Sequence, residues 1–350
     1  MSAARLFGIE LPVIQAPMAG SQASALAIAV SNAGGLGSLP CAALDAKGIR
    51  RELTALREGL QKQGGTTKPY NVNFFCHVPP TPDAGVEKAW RERLKPYYDE
   101  FGIDAANIPA GPGRSPFDAA AAEVLEEFRP PVVSFHFGLP SPELLQRVKK
   151  MGSKVLASAT TVDEARWLEA HGADAIIAQG VEAGGHRGIF LSDDLTTQVS
   201  TLALVPQVVR AVKVPVIAAG GIADARGVAA VLALGAIAAQ VGTAYLLCPE
   251  AMTSVIHRAA LKSDAVRHTA LTNIFTGRPA RGMVNRVVRE LGPINPAAPA
   301  FPLATAAIAP LRARAEAAGN PDFSPLWSGQ NATGCREIGA AELTRALAGV

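Results

Sequence analysis

Two short segments pair glycines with a polar or acidic residue: AAGGIAD at Ala218–Asp224 and QVGT at Gln240–Thr243. Adjacent glycines let a main chain lie close to a ligand, and a helix starting just beyond them turns free N–H groups outward. That combination binds phosphate. Its plainer reading is a pair of tight turns. A third segment, GVEAGGHRG at Gly180–Gly188, presents His186 between Gly185 and Gly188, and an imidazole so placed suits proton transfer or hydrogen bonding to a substrate. His136, in SFHFG, reads equally well as a second site histidine or as an internal hydrogen-bonding group. His77, His171, His257 and His268 read as structural, with His171 at the polar end of a helix. No H-E-x-x-H, paired cysteines or clustered carboxylates suggest a metal, and neither a Walker A nor a Rossmann glycine pattern occurs in its proper context.

Those residues fall at the ends of recurring short apolar runs, which read as strands: Val13–Met18, Gly35–Pro40, Tyr70–Phe75, Val132–Gly138, Lys154–Thr160, Ala175–Gly180, Val214–Gly221 and Ala238–Leu247. Helical patterns lie between most of them, at Ser21–Asn32, Ser141–Met151, Val162–His171 and Asp224–Leu234. Near-continuous apolar strands alternating with helices mean a parallel sheet covered on both faces. Eight such units predict an α/β fold of the TIM (β/α)8 barrel type, with a doubly wound open sheet as the other solution. In a barrel, chemistry belongs at the C-terminal strand ends. Those ends read Gln15-Ala16-Pro17-Met18, Asn73, His136, Ser158, Gln179, Gly220-Gly221 and Gly242-Thr243, polar or glycine above apolar strand bodies. The loops after strands seven and eight are the usual phosphate site of this fold.

Two segments break the alternation. Residues 76–117 are rich in proline and glycine around a short amphipathic helix, and read as a loop insertion near the barrel mouth. Residues 250–320 carry Arg278, Arg281, Arg286 and Arg289 in helical stretches, and read as a small helical second domain inserted after strand 8, acting as a lid. The expected organisation is therefore a barrel over 1–249, the lid over 250–320, and a tail over 321–350 returning to the barrel.

Composition narrows the function classes. The formal charge is only +3, from 33 basic and 30 acidic residues, too even for a nucleic-acid binder. Hydrophobic residues make up 49% and charged ones 18%, enough for a large core. Cys41, Cys76, Cys248 and Cys335 are scattered, which fits a reducing compartment, and Glu10 and Pro12 interrupt any signal-peptide core. The stretch from Gly227 to Pro249 carries no charge. Its Gly235, Gln240, Gly242 and Thr243 favour a buried helix, turn and strand over a membrane span. The expectation is a cytoplasmic globular protein with no membrane or nucleic-acid partner, a monomer or homodimer.

Taken together and in order, QAPMAG, NVNFF, SFHFG, QGVEAGGHRG, PVIAAGGIAD, QVGTAYLLCPE, FTGRPARG and LWSGQ resemble the nitronate monooxygenase family, formerly grouped as 2-nitropropane dioxygenases, and most closely its first class. The resemblance runs from residue 12 to about residue 330. It implies a TIM barrel with tightly bound FMN that oxidises alkyl nitronates, such as propionate 3-nitronate, with O2 to a carbonyl compound and nitrite. It implies that the isoalloxazine lies against Ala16, Pro17 and Met18, with Asn73 and Gln179 bonding to the cofactor. Gly220, Gly221, Gly242 and Thr243 would hold the phosphate beside Ala219 and Gln240, and the Gly184-Gly185 turn would pass over the flavin. Trp327, Ser328, Gly329 and Gln330 would close the site. His186 matches the family's active-site histidine, and His136 a second one that contacts substrate. The alternative among flavin barrels is an NAD(P)H-dependent reductase of quinones or enoyl thioesters, for which Arg278 and Arg281 could attract a pyrophosphate. Their plainer reading is a solvated helix face or internal ion pairs.

Overall fold

The computed structural model describes residues 2–60, 62–63, 66–108 and 114–350. Eight parallel strands form one sheet: β1 (Val13–Gln15), β2 (Gly37–Pro40), β3 (Tyr70–Phe75), β4 (Val132–His136), β5 (Lys154–Ala159), β6 (Ala175–Gln179), β7 (Val216–Ala219) and β8 (Ala238–Val241). Each pairs with its neighbours in sequence, and β8 returns to β1 through Val13↔Ala239 and Gln15↔Val241. A parallel bridge between Ile14 and Leu36 joins β1 to the start of β2, where the Gln15 N–H donates to the Leu36 carbonyl at 2.9 Å. The sheet is closed, and the fold is a TIM barrel.

Alternation along each strand sorts the side chains into two cores. Val133, Phe135, Val155, Ala157, Ile176, Ala178, Val216, Ala218 and Val241 join the surrounding helices in the main core. The alternate residues Val132, Leu156, Ile177, Ile217 and Ala238 instead cluster with Ile14, Leu36, Phe7 and Ile9 at the N-terminal end of the barrel. Further along the same inward rows stand Asn73, Ser134, His136, Ser158, Gln179 and Gln240, so the interior turns from apolar to polar toward the C-terminal strand ends.

The helices start where local chemistry starts them. Ser141 accepts from the Leu144 N–H ahead of Pro142, and Asp118, Thr161 and Asp224 cap their helices in the same way. Most expected elements lose a residue or two at their ends. The largest difference is the run Ala238–Leu247: β8 stops at Val241, and Thr243–Leu247 is a 3-10 turn. Apolar periodicity does not separate a buried strand from a buried helical turn. No helix among the described residues is long and apolar enough to cross a membrane.

The two irregular segments meet. Within the insertion, Ala84–Glu100 is a 17-residue helix, longer than its sequence suggests, while residues 109–113 of the same insertion lie outside the described residues. Trp90, Leu94, Tyr97 and Tyr98 on that helix pack with Ile308, Leu311, Ala315 and Phe323 in a second core. The Tyr98 hydroxyl donates to the Ala307 carbonyl at 2.6 Å. Residues 250–320 are not purely helical. Besides helices at Val255–Leu261, Arg286–Leu291 and Ala304–Ala317 they carry an antiparallel hairpin, Thr269–Thr272 with Ala280–Met283. The closing helix Ala340–Ala348 buries Leu343 and Leu347 in the main core.

Candidate active site

The C-terminal strand ends open into a cavity that is partly continuous with solvent. Its wall includes Ala16, Pro17 and Met18 after β1, Asn73 on β3, His136 ending β4, Gln179 ending β6, Ala219-Gly220-Gly221 after β7, and Gln240, Gly242 and Thr243 on and after β8. Gly184, Gly185, His186, Trp327 and Gly329 complete the expected set. Ser328 and Gln330 are off the wall. The Ser328 side chain is buried and donates to the Gly329 carbonyl at 3.1 Å, whereas Gln330 is exposed and contributes a backbone N–H to Glu182.

His186 is held from three directions. Residues Gly185–His186 add a short antiparallel strand to the hairpin, with His186 opposite Ala280 and Gly185 opposite Arg281. The His186 carbonyl accepts from the Gln179 side-chain amide at 3.0 Å and from His136 Nε2 at 3.1 Å. Its own Nε2 lies 3.0 Å from the Thr276 hydroxyl, and Nδ1 has no hydrogen-bond partner among the described residues. Phe75, Phe301 and Trp327 surround the ring, with centroids at 6.1, 5.3 and 5.7 Å. Burial, then the positive field of Arg114, holds His186 well below the ordinary histidine pKa, so the imidazole is neutral at neutral pH.

His136 is occupied at both nitrogens. Because a carbonyl only accepts, Nε2 carries the proton donated to His186, and Nδ1 accepts from the Ser158 hydroxyl at 3.0 Å. Burial pushes its pKa down to about 3. The expectation of a substrate-contacting His136 therefore meets a ring with no free nitrogen: it positions the His186 main chain. Gln179 shares in this positioning, its amide donating to the His186 carbonyl and its oxygen accepting from the Gly188 N–H at 2.8 Å, with one N–H and one lone pair left over on the cavity wall. Asn73 commits Nδ2 to Ser134.

The glycines divide into two kinds. Gly220 and Gly221 adopt φ of +117° and +71°, a left-handed conformation that turns the loop after β7 along the cavity wall. At Gly184 the constraint is contact. An added Cβ would lie 2.5 Å from the Gly329 nitrogen, so the β6 loop and the C-terminal tail meet main chain to main chain. The Gly329 N–H in turn donates to the Thr243 hydroxyl at 2.9 Å, tying the tail to the loop after β8.

Three arginines, Arg187 and Arg281 buried and Arg278 half-buried, brace these loops without carboxylate partners. Fully buried Arg187 donates to the Gly180 and Gln179 carbonyls at 2.7 and 2.8 Å and to the Gln198 side chain, and desolvation lowers its pKa to about 10. Arg281 donates to the Val181 carbonyl at 2.8 Å. Arg278 donates to the Ile189 carbonyl and lies 4.1 Å over the Phe137 ring. Arg278 and Arg281 thus form neither a solvated helix face nor ion pairs; they hold loops by hydrogen bonds to backbone. Sequence reasoning missed these braces and the wall residues Phe75, Arg114 and Asn331, and also Thr276. Most come from irregular segments, where no periodicity marks a side chain as facing inward.

The residues fit a flavin. Gln240 Oε1 is a buried acceptor without a partner on the cavity wall, the orphan that a bound N–H donor would satisfy. The glycine turn at 220–221 offers a side-chain-free edge beside it.

The nitronate monooxygenase family model matches residues 2–349. A protein of Pseudomonas aeruginosa named nitronate monooxygenase is 44% identical over 348 residues, covering 98% of this chain and 97% of that protein. A namesake from Paraburkholderia phytofirmans is 44% identical over 345 residues, covering 98% and 92%. Among solved structures, the nitroalkane oxidase of Streptomyces ansochromogenes superposes with a TM-score of 0.88 at 41% identity, covering 99% of this chain and 96% of that one. FabK of Thermotoga maritima follows with a TM-score of 0.72 at 28% identity, covering 99% and 94%. Full-length similarity at this level, on a barrel whose cavity gathers the same motifs, means that the chain belongs to the nitronate monooxygenase family of flavin-dependent oxidoreductases.

Proposed function

We propose that the cavity binds FMN and that the protein oxidises alkyl nitronates, of the propionate 3-nitronate type, with O2 to a carbonyl compound and nitrite. The observation that carries this reading is His186: a neutral imidazole, pinned through its main chain by Gln179 and His136, with Nδ1 unpartnered beside the cavity. FMN, when bound, supplies the electron acceptance that no side chain here offers. In this reading Gly220, Gly221, Gly242 and Thr243 hold its phosphate, Ala16, Pro17 and Met18 border its ring system, and Gln240 Oε1 accepts one of its N–H groups. Residues 250–320, with the helix Ala84–Glu100, cover the mouth.

The Thr276 hydroxyl has one proton and two acceptors in reach, His186 Nε2 at 3.0 Å and the Arg278 carbonyl at 3.3 Å. When it donates to Arg278, His186 carries its proton on Nε2 and Nδ1 is a free base for the α-proton of a neutral nitroalkane. When it donates to His186 Nε2, the proton sits on Nδ1, which becomes a donor to the oxygens of a nitronate that arrives ionised. One histidine thereby serves both forms of substrate. Incubating the FMN-loaded protein with propionate 3-nitronate in air, while following oxygen and nitrite, tests the reading. Oxygen uptake with nitrite release supports it; neither, with FMN bound, rejects it.

A further inference from the structure

We propose that the C-terminal tail selects the cofactor: Asn331 donates to the phosphate of FMN, and the main chain around it closes over that end so that a flavin dinucleotide is excluded. This rests on the FMN reading above and adds to it a ligand and a specificity. Two helix starts flank the glycine loop after β7, at Thr201 and Ala225, and both are filled by the chain's own carboxylates. Glu182 accepts from the Thr201 N–H at 2.9 Å and the Thr201 hydroxyl at 3.0 Å, and Asp224 accepts from the Gly227 N–H at 2.8 Å. A phosphate would have to displace these anions to use either helix end, so its donors come from elsewhere.

The tail supplies two of them. Asn331 lines the cavity with its amide orientation fixed: Oδ1 accepts from the Thr333 N–H at 3.2 Å and the Thr333 hydroxyl at 2.6 Å, which leaves Nδ2 to donate to the Gly221 carbonyl at 2.9 Å. An amide nitrogen carries two protons, and the second has no acceptor among the described residues. Thr243 is set in a similar way. Its oxygen accepts from the Gly329 N–H at 2.9 Å, so its own proton is left to donate. The N–H groups of Gly221 and Ile222, on the same stretch of wall, also lack an acceptor among the described residues. The tail is seated on all three loops that meet here. The Gln330 N–H donates to the Glu182 carbonyl at 3.0 Å, and the Cys335 thiol donates to the Thr243 carbonyl at 3.1 Å. An added Cβ at Gly334 would overlap the Ala223 carbonyl, so tail and loop touch main chain to main chain. A terminal phosphate fits under such a strap, whereas one that continues into a second nucleotide must lift it.

The test titrates the flavin-free, full-length protein with FMN, riboflavin and FAD, following flavin fluorescence, for the parent, Asn331→Ala and Asn331→Asp. The parent should bind FMN roughly 100-fold or more tightly than riboflavin or FAD, as several hydrogen bonds to a charged phosphate imply. In Asn331→Ala the Kd for FMN should rise roughly 10- to 100-fold, the worth of one such bond, with riboflavin unchanged. Asn331→Asp keeps the size and the Thr333 contacts but sets a carboxylate against the phosphate. It should weaken FMN further and again leave riboflavin alone. A tail that serves stability only would weaken both flavins together. That result, or an unchanged Kd for FMN in Asn331→Ala, overturns the assignment, and so does a parent that takes FAD as tightly as FMN. The failures are separable. A parent that does not distinguish FMN from riboflavin removes the phosphate site itself, and the FMN reading with it. A parent that does, with variants of the same preference, removes only Asn331. None of these readouts depends on nitronate turnover.

Discussion

His186 and its supports carry the account at the level of single residues. His186→Asn keeps a polar group of similar reach and removes the base, so flavin content should match the parent. Turnover should drop by about 10²- to 10⁴-fold with neutral nitroalkanes and less with pre-formed nitronates. Equal turnover with both substrate forms would contradict it. The pH dependence follows from the depressed pKa. The base must be neutral, and burial lets it stay neutral below the ordinary histidine range, so kcat/KM for a neutral nitroalkane should hold as pH falls through 6.5 and decline only at more acid values. An acid limb centred at 6.5 would mean a solvated imidazole. His186 itself was visible in the sequence, set between glycines after a strand. For His136 the sequence offered both a site role and an internal hydrogen-bonding role, and the choice between them depends on which atoms its two nitrogens meet across 22 and 50 residues of chain.

Loops and strands explain why these groups converge. The glycine turn after β7 and the meeting of Gly184 with Gly329 make separate predictions. Gly221→Asp adds a carboxylate and a Cβ in a left-handed turn beside the proposed phosphate position, and should purify depleted of flavin. Full flavin content in that variant would misplace the phosphate. Gly184→Val should act differently, by forcing the C-terminal tail off the β6 loop. An overpacked contact of this kind costs about 1–3 kcal/mol, read as a lowered Tm together with faster proteolysis after Trp327. An unchanged Tm would mean that the tail is not locked there. The barrel strands were legible because their buried runs recur between helix caps such as Ser141, Thr161 and Asp224. The hairpin Thr269–Thr272/Ala280–Met283 was not. Its strands are short, two arginines flank its turn and strand, and its partner is a two-residue segment nearly a hundred positions earlier.

For the whole molecule, buried neutral histidines set the acid limit of stability. His136 is pushed down to about 3 and His257 to about 4, with His186 and His77 also lowered, all chiefly by burial. The unfolded chain takes up protons on these groups from about pH 6.5 downward while the native chain does not. Their contribution is therefore complete above about pH 6.5 and is lost as pH falls toward the folded values, at up to about 1.4 kcal/mol per pH unit for each histidine. A Tm falling steeply between pH 6.5 and 4 checks this, and a flat profile there would contradict it. Catalysis draws on the same architecture. The barrel supplies the cradle, the hairpin presents His186, and the second core, built from the insertion helix and residues 274–323, has Trp327 packed against it beside His186, while Phe301 clusters with Phe75 and Phe137. Arg278 and Arg281, the two cations the sequence offered for docking a nicotinamide dinucleotide, each donate to a backbone carbonyl, with Arg278 Nε left unpartnered among the described residues. The most direct measurement is anaerobic rapid mixing of the FMN-loaded protein with propionate 3-nitronate and, separately, with NADH and NADPH. Fast loss of the yellow absorbance with the nitronate, and none with either nucleotide, is the predicted result. Rapid bleaching by NADH with no response to nitronates would contradict the account and make the protein a reductase.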